Sequence, residues 1–188
     1  LLESIFKKKE FSMNKKPDLL DTFVYGPDAD KIKVEWFDIK NKEEIPNLPW
    51  AQVYAVGDLD GKTPVIFYDH AKDNLPGGHV ESGESIEQTL LREIQEELNC
   101  EVIEWWPIGY QILTNTSDRS AYEGTEGKVY QFRAYAKLRK LGEWQPDVGG
   151  SVRGYRLTDL ENLNSYVDYG NVGERMVKLA QKIKSENK

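Results

Sequence analysis

Glu84, Arg92, Glu93, Glu96 and Glu97 crowd into one short stretch of this chain, and their spacing is where chemistry first suggests itself. Preceded by Gly78-His-Val-Glu-Ser-Gly, the stretch reads G-x5-E-x7-R-E-U-x-E-E, with U an aliphatic residue. Carboxylates at this density are the hard oxygen donors that Mg²⁺ takes, a cation that keeps some of its waters and shares its shell with substrate phosphates. Like charges three and four residues apart on a helix repel, each pair costing about 0.2–0.5 kcal/mol, and a cation between them removes that cost. A solvated acidic face reads the same way when the glutamates are taken alone.

The element that must position these groups is legible locally. Ser85 is a good N-cap, and Gln88 three residues on completes a capping box. From Ile86 to Leu98 the chain has no Gly or Pro, and Ile86, Leu90, Leu91, Ile94 and Leu98 form one apolar stripe at helical spacing. Glu93, Glu96 and Glu97 share a flank about a quarter turn away from it. One side of the predicted helix packs on a core while the other presents carboxylates. Asn99 then suits a left-handed exit from the helix, and Cys100 acts as a small buried hydrophobe.

With its lead-in Leu75-Pro76-Gly77-Gly78, the segment resembles the Nudix box of the Nudix hydrolases, G-x5-E-x7-R-E-U-x-E-E-x-G-U. Gly78, Glu84, Arg92, Glu93, Ile94, Glu96 and Glu97 match; Asn99 stands where the family has Gly, and Cys100 where it has an aliphatic. The box covers Gly78 to Cys100, and for the rest of the chain the similarity is one of layout. The resemblance implies an α/β (α+β) fold, a Nudix-type α/β/α sandwich with a mixed sheet between helices. It implies hydrolysis of a nucleoside diphosphate linked to another moiety, with water attacking phosphorus. The implied cofactor is Mg²⁺, with Mn²⁺ as a substitute.

Carried over position by position, Glu93, Glu96 and Glu97 resemble the metal ligands, joined by the backbone carbonyl of Gly77. Glu84 and Arg92 resemble the groups that position those carboxylates. Glu97 is the general base favoured within the box, with Asp147, Glu143, Asp118, Glu123 and Glu126 as competitors outside it. For substrate binding, Arg119 in the polar loop from Thr114 to Gly127 could meet a terminal phosphate, and Asp147 precedes a strand-like segment. Trp50, Trp105, Tyr110 and Tyr155 could stack on a base or simply pack in the core. A small nucleotide-type molecule is the expected partner, and a homodimer is expected from the habit of relatives. A fold-sharing ligand sensor without turnover is the alternative function; retention of all four box glutamates favours the enzyme. An isoprenyl diphosphate isomerase would want a catalytic cysteine, and Cys100 at the apolar end of the helix is badly placed for that.

Composition agrees with one compact enzyme domain. The chain has 188 residues, a net charge of −7 and a pI near 5.0. That balance argues against a basic nucleic-acid groove and against an anionic membrane surface. It leaves anionic substrates open, because bound metal reverses the local sign. A single cysteine excludes an internal disulfide and suits a reducing cytoplasm. No apolar run approaches the ~20 residues that span a bilayer. Leu1 is not a natural start and Met13 is one, so residues 1–22 are expected as a partly non-native appendage and 23–188 as a single domain.

Strands are expected over Lys31 to Asp38, Trp50 to Val56 and Thr63 to Tyr68, the last two joined by a hairpin-like turn from Gly57 to Gly61. Further strands are expected at Val102 to Leu113, with an interruption at Pro107, at Lys128 to Leu138 and at Tyr155 to Leu157. Thr158 with Glu161, and Asn171 with Glu174, read as capping boxes for two later helices.

Overall fold

A computed structural model describes residues 15–25, 30–69, 71–115, 127–146 and 151–187. Eight strands are present among them: β1 (Leu19–Tyr25), β2 (Asp30–Asp38), β3 (Trp50–Leu59), β4 (Thr63–Tyr68), β5 (Gly77–His79), β6 (Cys100–Asn115), β7 (Lys128–Lys140) and β8 (Val152–Thr158). Helix α1 spans Ile86–Leu98, α2 Asn164–Val167 and α3 Gly170–Glu186. Six strands form one sheet in the order β1-β2-β6-β7-β3-β5, and β4 pairs with β8 in a small second sheet. Only β3 and β7 run parallel, which makes the main sheet mixed.

Alternation along the strands splits the core in two. On one face Ile32, Val34, Trp36, Tyr54, Val56 and Tyr135 pack with Val172, Met176 and Ala180 of α3. On the other, Val53, Ala55, Phe132, Ala134 and Ala136 pack with Leu90, Ile94 and Leu98 of α1. A mixed sheet between helices is thus the architecture, as the resemblance implies.

Several local expectations change. β3 continues through Gly57 to Leu59, and the tight turn is made by Asp60 (φ 52°) and Gly61 (φ 86°). Leu59 and Lys62 exchange backbone hydrogen bonds across it. The hairpin-like turn is thus present, and beyond that one antiparallel bridge β3 and β4 diverge into different sheets. β6 carries Pro107 without interruption because its register shifts between Pro107 and Gly109, where a missing N–H is tolerated. The boundary expected between residues 22 and 23 falls inside β1, which is zipped to β2 from Leu19 onward.

Neither later capping box forms. Asp159 precedes a 3₁₀ turn with no side-chain cap, and α3 begins at Gly170 rather than after Asn171. There the amide of Asn171 donates to the carboxylate of Asp21, so β1 supplies an acceptor for this helix end. A cap drawn from 150 residues away leaves no trace in local sequence.

Candidate active site

Helix α1 forms as its residues dictate. Ser85 accepts from the Gln88 amide while the Gln88 side chain accepts from the Ser85 amide, satisfying two otherwise orphaned donors. At the far end Asn99 adopts the left-handed conformation (φ 50°, ψ 45°). Its side-chain amide donates to the Glu143 carbonyl at 2.9 Å, and the Trp144 indole N–H donates to the Glu97 carbonyl at 2.7 Å. Both bonds tie down the last turn, where carbonyls lack helical partners. Leu91 of the expected stripe is exposed, and Thr89 takes its place in the buried face.

Arg92 is the hub of the acidic flank. Its Nε and Nη2 donate to the two oxygens of Glu84 at 2.8 and 3.0 Å, a bidentate pairing. Its Nη1 donates to Glu93 at 2.9 Å and to Glu96 at 3.1 Å, and Nη2 also reaches the His79 carbonyl at 2.9 Å. Glu84 is held further by the Thr89 hydroxyl at 2.8 Å and the Glu81 amide at 3.0 Å. One guanidinium therefore ties the helix, the preceding loop and β5 together. These bonds, the Arg92 pairing first, hold the Glu84 carboxyl down at about 2.

Glu97 lies apart from that hub. Its carboxylate accepts from the Gly77 amide at 2.6 Å. Burial pushes its carboxyl up to about 8, and the charges of Glu93 and Glu96 add to this against the pull of the Gly77 amide and Arg92. Burial likewise raises Glu93, outweighing its bond to Arg92. Glu96 is the reachable member, with 49 % of its side chain exposed against 12 % for Glu93.

The two glycines before the box have distinct tasks. Gly77 sits at φ 138°, where a Cβ would stand 2.2 Å from the Val53 carbonyl oxygen, so only glycine fits. At Gly78 a Cβ would stand 2.4 Å from Oε1 of Glu93. The strand backbone thus closes directly onto that carboxylate.

The donor set suits a hard divalent cation: oxygen ligands only, on a rigid helix flank, with excess negative charge and one carboxyl whose ionisation is opposed by burial. Among the described residues, no three His, Cys, Asp or Glu groups converge as a ready-made metal centre. Glu93 and Glu96 face Arg92, and Glu97 faces Gly77.

The candidate substrate groups are less concentrated. Arg119 and Asp147 lie outside the described residues, as do Asp118, Glu123 and Glu126. Tyr155 is half-buried on β8 opposite Ile66 and packs on the α1-face core. Trp105 and Tyr110 are buried in that core, and Trp50 sets its edge against Tyr110 and Phe132. Glu143 is exposed and contributes its carbonyl to Asn99. Sequence reasoning overlooked Thr89, the His79 carbonyl and Trp144. For Thr89 a signal existed, a hydroxyl residue on the inward side of an amphipathic helix; the other two depend on chain approaches that no local pattern encodes.

The NUDIX domain model matches residues 49–179 of the chain. No curated protein matches it by sequence. In three dimensions the chain is similar to the Bacillus subtilis pyrophosphohydrolase BsRppH, with a TM-score of 0.62 and 18 % identity over 89 % of this chain and 98 % of that one. It is also similar to a NUDIX hydrolase from Nitrosomonas europaea, with a TM-score of 0.56 and 19 % identity over 73 % of this chain and 91 % of that one. At such identities the likeness lies in the fold.

Proposed function

The chain belongs to the Nudix hydrolase family, and on that premise we propose that it is a Mg²⁺-dependent hydrolase that splits the diphosphate linkage of a nucleotide-type substrate by attack of water on phosphorus. The observation that carries this reading is the Arg92 hub, which fixes Glu84, Glu93 and Glu96 beside the half-buried Glu97 on one helix flank. Glu93, Glu96 and Glu97 would hold the cation, with the carbonyl of Gly77 beside them; Mn²⁺ would substitute. When bound, the cation neutralises phosphate charge and lowers the pKa of the attacking water.

The chain's own residues supply the rest. Glu84 and Arg92 hold the carboxylates in place, the kind of support whose loss costs about 10–100-fold in affinity or activity. Gly77 and Gly78 let the β5 backbone approach the helix flank closely. Glu97 is the proposed base. A carboxyl held near 8 keeps its proton at neutral pH, so Glu97 can take one from water only when positive charge lies beside it. Water activation and cation binding are thereby coupled in one side chain. Among the described residues no helix is long and apolar enough to cross a membrane; we place the activity in the cytoplasm, on small molecules, and in a homodimer.

The test is a phosphate- and pyrophosphate-release screen with Mg²⁺ or Mn²⁺ against nucleoside triphosphates, oxidised nucleotides, nucleotide-sugars, ADP-ribose and dinucleoside polyphosphates. Glu97→Gln runs beside it. Cation-dependent turnover that the substitution abolishes is the expected result. Binding without turnover on every compound would turn the reading into that of a ligand sensor.

A further inference from the structure

On the face of the sheet away from α1 lies a second polar constellation, and its centre is a buried arginine. Arg133 of β7 is 2 % exposed, and among the described residues no carboxylate pairs with it. Its guanidinium lies 4.4 Å over the ring of Tyr54 and 5.7 Å from that of Tyr169. Nη1 donates to the Phe132 carbonyl at 3.2 Å and Nη2 to Oε1 of Gln131 at 2.9 Å, while Nε is buried and has no partner among the described residues.

Three glutamines continue from it. Gln111 on β6, Gln131 on β7 and Gln52 on β3 are cross-strand neighbours, and His79 of β5 stands opposite Gln52. The Gln111 amide nitrogen donates to Gln131 Oε1, the Gln131 nitrogen donates to Gln52 Oε1, and the Gln52 nitrogen lies 3.2 Å from Nε2 of His79. Amide orientation is ordinarily an assignment, but here it follows from chemistry. A guanidinium has only donors, so the atom that Arg133 touches must be the oxygen of Gln131. Gln111 must then donate to that same oxygen, and Gln131 must turn its nitrogen to the oxygen of Gln52. Gln52 in turn presents its nitrogen to His79.

The polarity of the row has a consequence. In Gln131 and Gln52 the oxygen is engaged within the row, whereas each amide nitrogen carries two N–H groups and uses only one there; the nearly buried Gln111 gives its nitrogen to the row and keeps its oxygen outside it. What Gln131 and Gln52 keep to offer is N–H donors. Gln52 and Gln131 are only half-buried, and they lie beside His79, whose carbonyl is bonded to the Arg92 hub. A donor-rich amide row thus reaches the rim of the proposed phosphate chemistry from the opposite face of the sheet.

We infer that Gln52 and Gln131 read the base of the substrate, selecting an acceptor-rich keto edge, with Arg133 as the positioning residue that fixes their direction. Guanine and uracil present ring carbonyls where adenine and cytosine present amino groups. Outward N–H groups favour the first pair and leave the second with donor facing donor. The inference rests on the nucleotide hydrolase reading for the identity of its ligand.

The experiment titrates GMP, UMP, AMP and CMP into the full chain in EDTA, by calorimetry, so that no bond breaking is read. The keto pair is expected to bind at least tenfold tighter than the amino pair. Gln52→Ala is expected to weaken that binding tenfold or more, with circular dichroism and unfolding midpoint unchanged; Gln131→Leu, which also removes an acceptor of the buried Arg133, is expected to weaken it as far with circular dichroism unchanged and a lowered midpoint. Arg133→Met is expected to flatten the keto-over-amino ratio, a readout that a purely structural role would not move; because it deletes a buried group and can unfold the chain, Gln52→Ala carries the decision. Absence of saturable binding, preference for the amino pair, or wild-type affinity in both glutamine variants would overturn the inference. Base-selective binding without cation-dependent turnover would sink the hydrolase reading alone. Turnover whose KM is untouched by Gln52→Ala would sink the amide row alone.

Discussion

Arg92 is bonded to β5 while Arg133 lies on β7, two strands away in the sheet, and their surroundings are opposites. Arg92 meets three carboxylates and a carbonyl, on a flank where acids outnumber it. Arg133 is sealed between two tyrosine rings, with an amide oxygen and a backbone carbonyl as its acceptors and no acid among the described residues. The first region has negative charge to spare and suits a cation. The second leaves unused N–H groups on the half-buried Gln52 and Gln131 and suits a neutral acceptor. β5 divides them: Gly78 backs onto Glu93, while its neighbour His79 joins the glutamines, since adjacent strand residues face opposite ways. Charge chemistry and shape reading are thus expected to fail independently.

The largest separation should come from Glu97→Gln. Turnover is expected to fall about 10²–10⁴-fold, the usual worth of a general base, with metal-free nucleotide affinity unchanged. Equal loss of both in a folded variant would merge the two regions into one. Gly78→Ala comes next, because its methyl must displace the Glu93 carboxylate. An activity loss of about 10–100-fold is expected, with helix content retained by circular dichroism. A fully active variant would show that Glu93 need not sit against β5.

A third prediction concerns pH. The Glu97 carboxyl sits near 8 in the folded chain against 4.5 when unperturbed, so the fold favours its neutral form. Its contribution to stability is complete below about pH 4.5 and is lost as pH rises through about 8. Thermal melts in EDTA should therefore show the midpoint falling across that window. Added Mg²⁺ should flatten the slope, and Glu97→Gln should remove it. A level profile in the metal-free protein would mean that Glu97 ionises without cost. The smallest effect is expected from Thr89→Val, which deletes one hydroxyl bond to Glu84. A destabilisation of about 0.5–1.5 kcal/mol, measured by denaturant melts, should accompany less than a tenfold drop in turnover.

Legibility in the sequence followed the range of the interactions. Ser85, Gln88 and Asn99 act within a turn or two of their own helix, and each does what its type predicts. Leu91 and Thr89 were harder to place, because which edge of an amphipathic stripe is covered depends on the sheet beneath it. The hairpin-like turn expected between β3 and β4 forms at Asp60 and Gly61, but the strands part beyond the Leu59–Lys62 bridge, because a turn sequence specifies a reversal and not whether the strands stay paired afterwards. The cap of α3 failed for the same kind of reason, its acceptor coming from Asp21 on β1.

What the sequence determined by itself was the acidic helix, its caps, its matching motif and hence the family, because all of these are set by contacts between residues close in the chain. Only the tertiary structure decided which side of β5 each polar group serves. Gln52, His79, Gln111, Gln131 and Arg133 are scattered over 82 positions of chain and join through cross-strand register alone, above all the parallel pairing of β3 with β7. A parallel pair needs a long crossover, so its partners are never neighbours in sequence. No local pattern marks a glutamine as part of such a row, and nothing but burial tells one arginine from another.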